Sequence, residues 1–193
     1  MIKIKQKKQP MISAKQAGLT LLEMLVAVAI LSIILTTVAP GIQNILIKNR
    51  ITADLNNLSA VAQRARFTAV DEQTNVVLCP TNNYTACTNN WRDAKMAFID
   101  ANGNGTRDNS ETLIVASDPL NSSNTIYGIN GSLIFNEQGG INNAATITLC
   151  PNDGDTDYAS ALLLSLYGRI SVAVDSDGDG TKEDLAGNAL TCS

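Results

Sequence analysis

The sequence predicts an α+β protein: one long N-terminal α-helix, apolar enough in its first half to span a membrane, packs its second half against an antiparallel β-sheet head. Three observations predict it. An apolar run fills 19–39 behind a lysine-rich start, an apolar stripe at helical spacing continues to about residue 70, and from 72 onward the chain breaks into short β-like runs separated by Asn, Asp, Gly and Ser clusters. At 193 residues the chain can build one modest globular domain with an appendage.

The first 18 residues hold Lys3, Lys5, Lys7, Lys8 and Lys15 and no acid. After them nine basic groups face 18 acidic ones, a balance of −9 that repels nucleic acid and anionic lipid except where basic groups cluster locally. The run LTLLEMLVAVAILSIILTTVA at 19–39 has the length an α-helix needs to cross a hydrocarbon core, and one charge interrupts it. Lysines ahead of it and few cations soon after place the start in the cytoplasm and the remainder outside. An ordinary secretory signal has its small-residue cleavage site after the apolar core; here the small residue, Gly18, comes before it.

Glu23 is the single charge in that run. An ionised carboxylate in lipid costs several kcal/mol unless paired, so it calls for a partner, or for the favourable field of a helix N-terminus. Pro40-Gly41 follows the run directly. Proline removes a helix hydrogen bond and kinks the axis, and glycine loosens it further. Beyond them Ile42, Ile45, Leu46, Ile51, Leu55, Leu58, Val61, Ala62, Ala65 and Ala69 keep helical spacing, with Lys48, Arg50, Arg64 and Arg66 off the stripe. A helix from Leu19 to about Val70 would be roughly 75–80 Å long. The segments expected are therefore a leader at 1–18, a helix at 19–71 whose 19–39 part is apolar and whose 40–71 part is amphipathic, and a β-rich head at 72–193.

Strands are expected at 76–79, 95–100, 112–116, 125–129, 132–136, 146–150, 162–166 and 169–174. Their short intervals imply one antiparallel sheet that buries a face against the stripe from Ile51 to Ala69. Cys79, Cys87, Cys150 and Cys192 all lie beyond the apolar run, an even number in an exported chain, which favours disulfides over thiol chemistry. Three connectivities are open. Cys79–Cys87 with Cys150–Cys192 is preferred, because it closes a short loop and pins the C-terminal tail, where a cross-link removes much chain freedom.

Two head segments have the residue types of calcium loops. Asp100, Asn102, Asn104, Thr106, Asp108 and Glu111 match the spacing D-x-[DN]-x-[DN]-G-x5-E at every specified position, but the flanks read as strands where an EF-hand needs helices. Asp175, Asp177 and Asp179 repeat the start of that pattern; position twelve is Ala186, leaving Glu183 or Asp184 to fill the site. A hydrogen-bonded turn without metal is the competing account of both. No cofactor is required by either. With no histidine, no nucleophile and base pair and no phosphate loop, the chain offers an enzyme nothing to work with.

The residues Gln16-Ala17-Gly18-Leu19-Thr20-Leu21-Leu22-Glu23 closely resemble the prepilin processing site of type IV pilin-like proteins. The resemblance implies cleavage by prepilin peptidase between Gly18 and Leu19, N-methylation of Leu19, and a Glu23 that meets the N-terminal amine of a neighbouring subunit during assembly; Leu19 stands where phenylalanine is usual. It also implies that Pro40 lets the helix bend or melt locally in a filament. The head resembles the pseudopilin H and minor pilin FimT group, on Val76-Val77-Leu78-Cys79-Pro80, Cys87, Trp91, Ala97-Phe98-Ile99-Asp100, Asn102-Gly103-Asn104-Gly105, Glu111, Phe135-Asn136, Gly139, Ile147-Thr148-Leu149-Cys150 and Gly168-Arg169-Ile170. A similar Asn- and Gly-rich hairpin in that group makes a metal-free turn the preferred account of the first loop.

Membership implies a structural subunit held in the bacterial inner membrane by one span, head in the periplasm, with other pilins or pseudopilins as partners. The FimT-like head favours a minor subunit of a type IV pilus over its bulk rod. Pseudopilin H of type II secretion is the nearest alternative. Gly168-Arg169-Ile170-Ser171 is similar to the Gly-Arg-x-Arg motif with which some FimT-like subunits hold DNA. Here Ser171 replaces the second arginine and the head is acidic, which weighs against nucleic acid as a partner of Arg169.

Overall fold

The computed structural model describes residues 18–193, the side chains of 37–40 excepted, so the leader expected at 1–18 lies outside the description except for Gly18. One helix, α1, runs over Leu21–Asp71, and its helical assignment continues through Pro40 and Gly41. Eight strands follow: β1 Val76–Thr81, β2 Ala94–Ile99, β3 Leu113–Ser117, β4 Asn124–Tyr127, β5 Leu133–Phe135, β6 Ala145–Pro151, β7 Ser160–Leu164 and β8 Ile170–Val172, with a 3-10 turn at Thr156–Tyr158 before β7. Each expected strand is present within two or three residues of its sequence boundaries at either end.

The strands form two four-stranded antiparallel sheets, in orders β3-β2-β1-β5 and β4-β6-β7-β8, where the sequence reading expected one. The division falls between consecutive strands. β4 pairs with β6 (Asn124 opposite Pro151, Tyr127 opposite Thr148), while β5 returns to β1 (Val76 opposite Phe135). Period-two alternation tells a strand which face to bury and says nothing about which neighbour it hydrogen-bonds, so the pairing was out of reach of the sequence pattern.

Contacts divide the chain into a unit ending at Ile42 and a second unit, Gln43–Ser193. In the second unit Ile51, Leu55, Leu58, Val61, Ala62, Ala65 and Ala69 are buried in one cluster with Val76, Leu78, Ala97, Leu133, Phe135, Ile147, Leu149, Leu162 and Leu164. Both sheets thus share the α1 stripe as their core. Ala62, Ala65 and Ala69 are fully buried in the same cluster as Phe135. Ile45 and Leu46, expected on the same stripe, fall on another face of the helix and are exposed; packing starts at Ile51. The other face of β1 and β2 buries Val77, Cys79, Met96 and Phe98, so this sheet is covered on both sides and its strands are apolar at consecutive positions.

A lysine is built into this interior, and a half-buried acid stands at its border. Lys95 on β2 is buried, and burial pushes its pKa down to about 8, against the pull of Asp54 and Asp93. Asp54 on α1 accepts from Asn124 Nδ2 at 2.6 Å and from Asn121 N at 3.2 Å, tying the helix to the start of β4.

Candidate functional site

Gly18, Leu19 and Thr20 form an exposed, non-helical lead-in to α1. A Cβ added to Gly18 would meet nothing within 4 Å, and its φ is not in the left-handed region, so nothing in the described chain asks for glycine there. Thr20 caps the helix: its Oγ1 accepts from Glu23 N at 3.2 Å and its carbonyl from Met24 N at 3.2 Å. Spacing alone would suit a reciprocal capping box, with the Glu23 carboxylate reaching back to Thr20 N. That return bond is absent, and Glu23 stands exposed, its carboxylate without a hydrogen-bond partner among the described residues.

From Leu19 to Leu35 every large apolar side chain of this unit is exposed, Leu21 at 79% and Leu25 at 63%. The hydroxyls within it are turned back on the helix: Ser32 Oγ donates to Ala29 O at 2.8 Å, and Thr36 Oγ1 to Ser32 O and Ile33 O at 3.0 Å. The result is a helix surface of hydrocarbon, long and apolar enough to cross a membrane, whose one carboxylate sits in its first turn. Pro40 lies at its far end, within α1; its side chain lies outside the described residues.

Disulfides join Cys79 to Cys87 and Cys150 to Cys192, the pairing preferred from sequence. The second holds the C-terminal tail against β6 beside Ala159, Ala161, Ala173 and Leu190.

In both Asp-rich loops the carboxylates accept hydrogen bonds from donors of their own loop, and the second also gathers four of them together. In the first, Asp100 accepts from Asn104 N at 3.0 Å and Gly105 N at 2.9 Å, and Glu111 from Ala101 N at 3.0 Å and Asp108 N at 2.9 Å. Asn102 and Asn104 point their amide nitrogens at Asp108, and Asn104 Oδ1 takes the amide and hydroxyl of Thr106. The six residues therefore satisfy one another as a turn. In the second, Asp175, Asp177, Asp179 and Glu183 bring carboxylate oxygens within 4.8 Å of one another, the one such group among the described residues. Glu183, and not Asp184, belongs to that group, whose members also accept loop donors: Asp175 from Gly178 N and Gly180 N, Asp177 from Asp179 N, and Glu183 from Ser176 N. The hydroxyl and amide of Thr181 hold the Asp179 carboxyl below its usual range.

Arg169 is exposed on the β7–β8 hairpin, whose turn is closed by Ser165 N on Arg169 O at 3.0 Å. Its neighbour Gly168 is buried at φ +72°, where a Cβ would lie 1.7 Å from Gly139 O and 2.7 Å from Arg66 Nε. Arg66 Nε donates to that same Gly139 carbonyl at 2.9 Å. The glycine of the Gly-Arg pair is thus required by packing: α1, the loop after β5 and the β7–β8 turn meet there. An open groove of about 450 Å³ beside it is lined by Gln63, Arg66, Phe67, Val70 and Ile170. The sequence reading passed over Arg66 and treated Gly139 only as part of a resemblance. Arg66 reads there as one more cation off the stripe, and no local pattern joins it to a glycine 73 residues away.

Comparison with known proteins agrees with this geometry. The family model described as type II transport protein GspH matches residues 54–168, more than half of the chain, and the prokaryotic N-terminal methylation motif matches 13–39. No curated protein sequence matches the chain. Among solved structures, the type IV minor pilin FimU of Pseudomonas aeruginosa is similar in two crystal forms. One, in space group P21, has a TM-score of 0.53 at 20% identity, over 65% of this chain and 90% of that one. The other, in P65, has a TM-score of 0.50 at 20% identity, over 64% and 92%. At that identity the likeness speaks for the fold, and the family follows from the sequence models: the chain is a member of the GspH family, with a pilin-like fold and an N-terminal methylation motif.

Proposed function

We propose that this chain is a minor pilin or pseudopilin, a structural subunit of a thin filament assembled from the bacterial inner membrane, and that type IV pilus biogenesis is the machinery it serves. In this reading prepilin peptidase cuts between Gly18 and Leu19, Leu19 is N-methylated, and 19–39 holds the subunit in the bilayer with its head in the periplasm until neighbouring pilins replace the lipid. One observation carries it. An exposed hydrocarbon helix begins directly after an exposed glycine that the fold itself does not need, and its first turn bears a carboxylate without an internal partner. Such a carboxylate is stabilised by a cation from outside the chain, and the N-terminal amine of a neighbouring subunit is the cation the family resemblance supplies.

Mass spectrometry of material purified from its host is expected to find a methylated Leu19 as the first residue. Glu23→Ala is expected to be processed and membrane-bound yet missing from sheared filaments. A chain beginning past Pro40, or a Glu23→Ala subunit incorporated as well as the parent, would overturn the proposal. Service in type II secretion is the neighbouring alternative, which calls for the same processing and differs in the partner pilins that co-purify. Nucleic acid capture through Arg169 has less in its favour: Gly168 is explained by packing, and Arg66 is committed to Gly139 O. The role requires no cofactor, and calcium concerns only the oxygen cluster at Asp175, Asp177, Asp179 and Glu183.

A further inference from the structure

Beyond the apolar run, the start of the second unit carries apolar and cationic groups that the fold leaves without partners. Ile45 and Leu46 are 60% and 56% exposed. At 100° per residue they point away from Ile51, Leu55 and Leu58, which are buried, and Lys48 and Arg50 flank the buried stripe on its two sides at nearly the same height. Arg50 Nε is buried and has no hydrogen-bond partner. Lys48 Nζ lies 5.8 Å from the centre of the Tyr158 ring and pairs with no carboxylate among the described residues.

Lys182 comes to the same place from the C-terminal segment, its Nζ donating to Ala159 O at 3.0 Å, one residue from Tyr158. Its pKa is lowered, first by burial and then by the charge of Lys48, and no carboxylate offsets that effect. Of the acids near in sequence, Asp155 caps the turn through Asp157 N at 3.0 Å, Glu183 accepts from Ser176 N at 2.8 Å and Asp184 from Ala186 N at 2.8 Å, while Asp157 is exposed beside Tyr158. Lys48 and Lys182 repel one another, and an anion supplied from outside relieves that repulsion.

We propose that Ile45, Leu46, Lys48, Arg50 and Lys182 form a contact surface for an anionic phospholipid leaflet, the two apolar side chains at the acyl boundary and the three cations on headgroup phosphates. The occupant follows from charge complementarity and from continuity of the chain. Lys48 comes nine residues after Ala39, the end of the apolar run, and even a fully extended tether of that length keeps it within ~30 Å of the span's end. An amphipathic tyrosine beside the cations, Tyr158, also suits a headgroup layer. Where the rest of the head is acidic and repelled by such a leaflet, this surface gives it one orientation.

The proposal rests on the membrane-anchored state described under the proposed function, and one experiment separates the two. The mature chain is placed in lipid nanodiscs of phosphatidylcholine, with or without phosphatidylglycerol, each doped with a headgroup diazirine probe, and labelled residues are mapped by mass spectrometry. Labelling at 45–50 and 156–159 that depends on phosphatidylglycerol is expected. It should fall about five-fold per cation removed in Lys48→Gln and Lys182→Gln, the equivalent of ~1 kcal/mol for each basic group near an anionic surface. Arg50→Gln, which leaves the Lys182 hydrogen bond intact, should act alike, and intact disulfides with unchanged hydrogen-exchange protection of β1 and β6 verify the fold. Labelling at the ends of 19–39 with none at 45–50, equal labelling in both lipid mixtures, or cross-links from this surface to a second protein chain overturns the inference and leaves the anchor standing. A chain that fails to enter the nanodisc at all overturns the anchor.

Discussion

Replacing Gly168 by alanine isolates the contact that joins helix to head. The added Cβ would stand 1.7 Å from Gly139 O, well inside any van der Waals distance, so the β7–β8 turn or the loop after β5 must move. Moving either disturbs the 2.9 Å bond from Arg66 Nε to that carbonyl. A left-handed alanine costs about 1–2 kcal/mol, overpacking about 1–3, and a weakened charge-assisted bond adds to both; a loss of about 3–5 kcal/mol is expected, since the three are coupled and do not simply sum. Gly103 supplies an internal control, with the same φ of +72° and nothing within 4 Å of its missing Cβ. Gly103→Ala should therefore lose only the backbone strain. Urea unfolding of the mature chain in detergent, followed by emission of Trp91, the one tryptophan, reads both. Trp91 is buried with its Nε1 on Gly131 O at 3.0 Å and reports on the head. Equal losses in the two variants would refute the packing account of Gly168 and return the Gly-Arg pair to consideration as a ligand motif.

Lys95 makes stability depend on pH in an unusual direction. Its folded pKa of about 8 lies below the ordinary 10.5, so between those values the unfolded chain binds a proton that the folded chain does not. Stability is therefore depressed below pH 8 by up to about 3 kcal/mol and is regained as pH rises from 8 toward 10.5. The unfolding midpoint should climb between pH 7.5 and 9.5, where about half of that free energy is regained, and Lys95→Met should flatten the slope; a falling midpoint in the parent would contradict the burial argument. Calcium titration distinguishes the two Asp-rich loops. Any rise in melting temperature at millimolar ion should vanish with Asp177→Asn and survive Asp108→Asn, because among the described residues only Asp175, Asp177, Asp179 and Glu183 bring that many carboxylate oxygens within 4.8 Å of one another. The reverse pattern would sink that distinction.

What could be read from the sequence was whatever one stretch of chain specifies for itself. The helix through Asp71 and the eight strands each follow from local spacing, and the disulfide pairing follows from loop closure. The stripe from Ile51 to Ala69 announced a buried face because period 3.6 is a property of the helix alone. Its apparent extension to Ile45 and Leu46 misled, since the five-residue step from Leu46 to Ile51 turns the helix by roughly 140° and puts the two side chains on another, exposed face. Division into two sheets was hidden for another reason: β4 chooses β6 over its neighbours through contacts that no single segment encodes.

The same distinction runs through the pair Gly168-Arg169. Read along the chain, the two residues form one motif with one purpose. In the fold they part: Gly168 is buried against the Gly139 carbonyl and the Arg66 guanidinium, while Arg169 is exposed on the hairpin. A substitution at the glycine thus perturbs the joint between α1 and the sheets whatever the arginine touches. Loss of function on changing Gly168 says nothing about a ligand; only Arg169→Ala, which leaves that joint untouched, can speak to one.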